Sequence, residues 1–352
     1  MSKMLEETRQ QPSALARTLR EGLGTLRDLQ RRFANRRPRL VVLAARGTSD
    51  NAAQFGRYLI EITTRIPVSL AAPSVLTLYQ CPLDLSDVLV VGISQSGEST
   101  DTNAVLEDAR IRGAVTVGIT NEPQSTMSHL AEHTLLARAG HELSVAATKT
   151  YTCQLLALYL LASALGGPVD LDVLERLPDW VERVLELEER VGEIAERYTF
   201  MSRGLAVGRG LNYANALELG LKLMETCYVV AERFSAADLM HGPIALVERA
   251  FPVFVFAPPG VTWRSTKVLL DRLEELKAEI LVISDETNSQ ASSLAVRLIQ
   301  LPALPVAAGG PEDLYTPIPY IVPAQLFAAQ LADMKGLSPD RPRTLEKITR
   351  TM

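Results

Sequence analysis

Apolar residues fall into short unbroken runs separated by stretches of helical period. Leu40–Ala45, Val88–Ile93 and Val115–Ile119 are three such runs in the first half. A run without polar alternation marks a strand covered on both faces, and so a parallel sheet. Helical patterns over about 51–62, 102–112 and 147–165 alternate with the runs, which predicts a doubly wound α/β domain. Gly166-Gly167-Pro168 then breaks the chain. Residues 172–198 are charged and amphipathic and predict a helical connector, interrupted at Pro178. After it the pattern restarts. Leu205-Ala206-Val207-Gly208-Arg209-Gly210 echoes Leu43-Ala44-Ala45-Arg46-Gly47, and Phe251–Ala257 and Glu279–Ser284 echo the second and third runs. A helix over about 323–334 precedes a tail. The element order predicts an internal duplication.

The expected division is an N-terminal helical segment (1–35), a first α/β unit (36–168), a helical linker (169–199), a second α/β unit (200–335) and a C-terminal tail (336–352). In the first segment Leu5, Leu15, Leu19, Leu23 and Leu26 recur at helical spacing, and the basic patch Arg36-Arg37-Pro38-Arg39 is read as a solvated linker.

Composition narrows the function classes. The 352 residues are 47% hydrophobic, enough for packed cores in two domains. Lys and Arg number 36 against 41 Asp and Glu, so there is no broad basic field for nucleic acid or anionic membrane. Cys81, Cys153 and Cys227 are far apart, odd in number and without metal-ligand spacing. They point to a reducing cytoplasm rather than a disulfide framework. No leader sequence is seen after Met1, and the longest apolar run, Cys153–Leu165, is too short to span a bilayer. No metal, cofactor, nucleic-acid partner or membrane association is predicted.

The two copies differ where chemistry is expected. In parallel sheets ligands bind beyond the carboxyl ends of the strands. The second run of the first copy ends in Ser94-Gln95-Ser96-Gly97-Glu98-Ser99-Thr100-Asp101-Thr102. Hydroxyls at a helix N-terminus offer donors to an anion, and this stretch fits a phosphate monoester. One helix cap needs one hydroxyl, so the excess favours binding over an ordinary turn. Thr48-Ser49, after the first run, could add hydroxyls to the same crevice. The equivalent stretch of the second copy, Ala257-Pro258-Pro259-Gly260, has lost two backbone donors, so one phosphate site per chain is expected. No nucleotide-binding glycine motif is complete.

The segment Ala216–Val230 is apolar except for Glu218, Lys222 and Glu225, which share one helix face at i, i+4 and i+7. A solvated ion-pair edge is the bland reading. Charges on a buried helix are costly unless used, and this helix follows a strand end, which favours a functional role for the three. His241 stands beside a Gly242-Pro243 turn, which suits presentation of an imidazole, although a single histidine is as readily structural. Lys347, on spacing alone, is a surface charge.

Together these segments resemble the sugar isomerase (SIS) family, and within it the isomerase half of the glucosamine-6-phosphate synthases. The carriers are Gly47-Thr48-Ser49, Ser94–Thr102, Val145-Ala146-Ala147-Thr148-Lys149, the LEL-G-LKLMET helix, His241-Gly242-Pro243 and the tail Pro342–Lys347. The resemblance implies two tandem flavodoxin-like SIS domains, the first binding the phosphosugar. It implies that Ser94, Gln95, Ser96 and Ser99, with Thr48, hold the phosphate, and that Glu225 moves a proton between C1 and C2 of the open-chain sugar. It further implies that His241, from the neighbouring subunit of a homodimer, assists ring opening, and that Lys347 forms an imine with the ketose. Val145 and Ala147 fall at the sugar-contacting loop and Lys222 in the active-site helix. Two positions depart from the pattern: Ala147 replaces a serine and Met224 a lysine.

The synthases carry an N-terminal glutaminase, for which residues 1–35 leave no room. The expected activity is therefore deamination, glucosamine 6-phosphate plus water to fructose 6-phosphate plus ammonia. The alternatives are an isomerase or deaminase for a galactosamine- or fructosamine-type phosphosugar, a synthase-like isomerase lacking glutaminase, or a sugar-phosphate sensor that does not turn its ligand over.

Overall fold

The computed structural model describes residues 2–304 and 310–345. In the first copy β1 (Leu40–Ala44), β2 (Val68–Leu70), β3 (Val88–Ser94), β4 (Val115–Thr120) and β5 (His133–Leu136) form one parallel sheet, ordered β2-β1-β3-β4-β5. In the second, β6 (Arg203–Gly208), β7 (Val230–Ser235), β8 (Pro252–Phe256), β9 (Glu279–Asp285) and β10 (Arg297–Leu301) form another, ordered β10-β9-β8-β6-β7. Counted from the first strand of each copy the two orders are the same, 2-1-3-4-5, the flavodoxin-like winding. The duplication read from element order is thus a duplication of topology.

Every residue of β3, β8 and β9 is buried, which is why these strands show as unbroken apolar runs. The edge strands β2 and β7, and β5 and β10, pair on one side only and carry exposed or half-exposed residues. They leave no such run, and the hydrophobic pattern misses all four. In the second copy Leu205, Val207, Val253, Val255, Ile280 and Val282 pack with Leu269, Leu270 and Leu273 of the helix Trp263–Glu275.

The expected break at Pro178 is corrected. The helix Leu171–Leu185 runs through it. Proline removes one intrahelical bond, but Val173, Leu174, Leu177, Trp180, Val181 and Val184 form a buried stripe that keeps the helix. Pro323 is likewise interior to the helix Pro317–Met334.

The chain packs as two units. One holds the first sheet and comprises 13–142 and 149–175; the other holds the second sheet and comprises the N-terminal residues through Pro12, Leu143–Thr148 and Arg176–Thr344. Among the described residues no helix is long and apolar enough to cross a membrane.

Two cysteines are buried and one is exposed. Burial pushes the Cys153 thiol up to about 12 and the Cys227 thiol up to about 11. The thiolate is the reactive form. At pH 8 the native protein is expected to titrate one thiol per chain, at Cys81, and three after denaturation. Rapid labelling of two or three thiols without denaturant would contradict the burial.

Candidate active site

The first candidate region lies at the carboxyl ends of β1 and β3. These adjacent strands flank the point where the strand order reverses, the usual ligand crevice of open α/β sheets. After β1, Gly47 takes a left-handed φ of 57° and leads into the helix Thr48–Thr64. Thr48 is half-buried at its start. Ser49 is buried, and its Oγ accepts from Gln154 Nε2 at 2.9 Å.

After β3 the hydroxyl-rich loop folds on itself. Gly97 N donates to Ser94 Oγ at 3.1 Å and Glu98 N to Ser96 Oγ at 3.2 Å. A hydroxyl that accepts from an amide still has its own hydrogen to donate, so both remain competent toward an anion. Ser99 occupies the N-cap of the helix Thr100–Ile111, yet its side chain bonds no helix amide and meets Thr102 Oγ1 at 3.0 Å instead. The Gln95 carbonyl is pinned by Thr120 Oγ1 and Asn121 N, and its side chain is half-buried. Glu98 turns to the short helix Thr126–Leu130, accepting from Thr126 N at 2.9 Å and Thr126 Oγ1 at 2.8 Å.

The hydrophobic pattern does not single out Arg46. It ends the β1 loop and pairs with Asp101, in the first turn of the β3 helix, at 2.7 Å. That ion pair ties the two hydroxyl loops together. In the sequence the Arg-Gly dipeptide is visible only as part of the repeat.

Gly97 makes the turn possible. Its φ is 67°, and a Cβ there would lie 2.2 Å from Ser125 Oγ and 2.4 Å from Ser125 Cβ. Gly97→Ala is expected to cost about 2 kcal/mol of stability and to weaken inorganic phosphate binding. Denaturant melts and phosphate titration check both. A variant as stable as wild type would show that the loop relaxes freely.

The second region belongs to the other unit. The helix Tyr213–Cys227 follows β6 through a tight turn at Gly210–Asn212. Asn215 Nδ2 donates to Asn212 Oδ1 and to the Pro317 carbonyl, both at 2.9 Å, which fixes the helix start. Gly220 lets the helix lie against β7, since a Cβ there would lie 2.3 Å from Arg233 Cγ.

On this helix the spacing of the three charges becomes a contact. Lys222 Nζ is 3.4 Å from Glu218 Oε1 and 2.6 Å from Glu225 Oε2. The side chains of Glu218 and Lys222 are 0% and 1% exposed, while that of Glu225 is 24% exposed. The stripe is therefore a graded line, buried at Glu218 and open at Glu225, and not a solvated edge. The helix ends earlier than its apolar pattern suggests: Tyr228 turns left-handed at φ 53°, and Val230 opens β7.

His241 is exposed at the end of the short helix Ala236–Met240. Ser235 Oγ caps that helix, accepting from Asp238 N at 3.3 Å, and itself donates to Asp238 Oδ2 at 2.7 Å. Gly242, at φ 135°, completes the turn. Among the described residues no hydrogen bond or ion pair joins His241 to the Glu218–Glu225 line. Val145 and Ala147 are half-buried on the segment Leu143–Thr148, which packs in the same unit as Glu225. Lys347 lies outside the described residues.

The sequence profile of the SIS domain matches twice, over residues 35–164 and 202–332. The chain belongs to the SIS domain family. Over 318 residues it is 41% identical to a glutamine–fructose-6-phosphate aminotransferase (isomerizing) of Pyrococcus horikoshii, covering 87% of this chain and 51% of that protein. The chain thus spans about half the length of that relative. It superposes on the C-terminal domain of a glucosamine-fructose-6-phosphate aminotransferase from Francisella tularensis with a TM-score of 0.86 and 26% identity, over 97% of this chain and 98% of that one. A glucosamine-6-phosphate deaminase from Thermotoga maritima superposes with a TM-score of 0.78 over 99% and 100% of the two chains; at 23% identity this shows a shared fold.

In SIS terms the first domain carries the hydroxyl loop and the second the charged helix. The loop after β8 serves differently from its counterpart after β3. The Ala257 carbonyl accepts from Ser284 Oγ at 2.6 Å and Asn288 Nδ2 at 3.3 Å, and Gly260 packs against Glu312.

Proposed function

We propose that this chain is a phosphosugar isomerase acting on amino-sugar and ketose phosphates, in the deaminating direction: glucosamine 6-phosphate plus water to fructose 6-phosphate plus ammonia. The observation that carries the reading is the graded line Glu218–Lys222–Glu225. It fixes a carboxylate at the open end of a buried ion pair, as proton transfer between adjacent carbons requires. In this reading Glu225 takes the proton from one carbon and returns it to the other. Lys222 orients the carboxylate. Thr48, Ser94, Gln95, Ser96 and Ser99 hold the phosphate, Ser49 and Glu218 support the loop and the ion line, and Val145 and Ala147 border the sugar. Lys347 activates the carbonyl as an imine, and His241 of a second copy aids ring opening.

Deamination follows from mass action where ammonia is dilute. The opposite direction is the second reading, favoured by the relative at 41% identity, a glutamine–fructose-6-phosphate aminotransferase (isomerizing). A coupled assay decides between them. Wild type is expected to release ammonia from glucosamine 6-phosphate, and a Glu225→Gln control is not. Exchange of solvent deuterium into fructose 6-phosphate without ammonia release would leave an isomerase of other specificity, to be found among galactosamine- and fructosamine-type substrates. Binding without either reaction would make the chain a sensor. Mixing inactive Glu225→Gln and His241→Ala chains is expected to restore activity through hybrid dimers, and failure to do so would remove the shared site.

A further inference from the structure

The segment Leu143–Thr148 belongs to the unit that holds the second sheet, although the residues on both sides of it belong to the other unit. Its backbone is held from both ends of the chain. Glu7, 3% exposed, uses both carboxylate oxygens, one accepting from Leu143 N and the other from Ser144 N at 3.2 Å. Ser144 Oγ donates to the Pro339 carbonyl and Val145 N to the Asp340 carbonyl, each at 3.4 Å. At the far end the Thr148 carbonyl accepts from Gln325 Nε2 at 3.2 Å. Gln325 Oε1 in turn accepts from Gln11 Nε2 at 2.8 Å.

Asp340 closes the frame. Its carboxylate accepts from Lys3 N at 2.7 Å and Met4 N at 2.8 Å, capping the helix Lys3–Arg9 that carries Glu7. The tail therefore acts on the segment twice, directly through its carbonyls and indirectly through the helix it caps. Residues 143, 144, 145 and 148 are bound through their backbones. Val145 and Ala147, with half-buried side chains, lie within the bound stretch.

We propose that Glu7 and Asp340 are positioning residues that set the shape of Leu143–Thr148, and with it recognition of the sugar rather than the phosphate. The inference rests on the reading that Val145 and Ala147 border the sugar. Its reach is selectivity: weakening the frame is to separate affinity for the sugar body from affinity for the phosphate.

The test is Glu7→Gln in the full chain. An amide replaces one acceptor with donors, so the carboxamide cannot accept from both Leu143 N and Ser144 N through separate oxygens. Three quantities are read: amide hydrogen exchange, the Kd for fructose 6-phosphate and the Kd for inorganic phosphate. The expected result is faster exchange at Leu143–Val145 with the Tyr213–Cys227 helix unchanged. The fructose 6-phosphate Kd rises about tenfold, while the inorganic phosphate Kd stays within twofold. Unchanged exchange overturns the frame. Faster exchange with an unchanged sugar Kd, or with both Kd values rising together, overturns its role in sugar selectivity. Asp340→Asn carries the same test with a smaller expected effect should Glu7→Gln fold poorly. A wild-type protein that binds fructose 6-phosphate no better than inorganic phosphate overturns the proposed function and the sugar role together, and the exchange data then still decide whether Glu7 holds the segment.

Discussion

Replacing Glu225 with Gln is expected to lower kcat by two to four orders of magnitude, on the order of what a positioned general base contributes, with substrate affinity changed only slightly. The substitution keeps shape and volume. The carbonyl oxygen of the new carboxamide can still accept from Lys222 Nζ, which is 2.6 Å from the present carboxylate. What is lost is the capacity to take up and return a proton. Because the side chain is 24% exposed, it sits at the margin of the core and not within it, so unfolding midpoints should move little. The measurement is solvent-deuterium exchange into fructose 6-phosphate, alongside its Kd. Exchange within tenfold of wild type would remove Glu225 from the chemistry. A collapse of both affinity and stability would recast it as structural.

Lys222→Met should have the largest effect on stability. Lys222 is 1% exposed and Glu218 is 0% exposed. Methionine keeps the apolar stem but removes the ammonium that stands 3.4 Å from the buried Glu218 carboxylate. Breaking a buried pair from one side costs about 3–5 kcal/mol, whereas replacing both partners with neutral groups is far milder. Denaturant unfolding is therefore expected to show a large drop for Lys222→Met and recovery of most of it in Glu218→Gln/Lys222→Met. The recovered protein should remain inactive, since Glu225 has still lost the group that orients it. If the double variant is as unstable as the single one, the stability lies in packing around the lysine stem and not in the ion pair. Residues in one network do not add independently, so the double variant is the decisive measurement.

What can be read from the residues depends on how local the signal is. Strands buried on both faces, such as β3 and β9, appear as unbroken apolar runs. The strands β2 and β7 do not, because an edge strand has one paired side and mixed exposure. The apolar pattern carries the helix on to Val230 because apolar residues continue past Cys227, and a left-handed Tyr228 brings no glycine to announce the turn. The charges at 218, 222 and 225 can be placed on one face from spacing alone, since the helical period fixes the geometry. Glu7 cannot be related in this way to Leu143, 136 residues away. No periodicity encodes a carboxylate that reaches the backbone of a distant segment. Arg46 and Asp101 fall in the same class, legible as charges but not as a pair.

The allegiance of Leu143–Thr148 to the second unit bears on how this duplicated chain can be divided. Two tandem copies suggest modules that could be separated, exchanged or evolved independently. A cut in the linker would give an N-terminal fragment bearing the six residues without the Pro339, Asp340 and Gln325 groups that bind them. The complementary fragment would retain Asp340 but lose both the segment and the N-terminal helix that Asp340 caps. Neither fragment would be a natural module. Separating the copies would take apart the frame in which Glu7, Gln325, Pro339 and Asp340 hold one small piece of backbone.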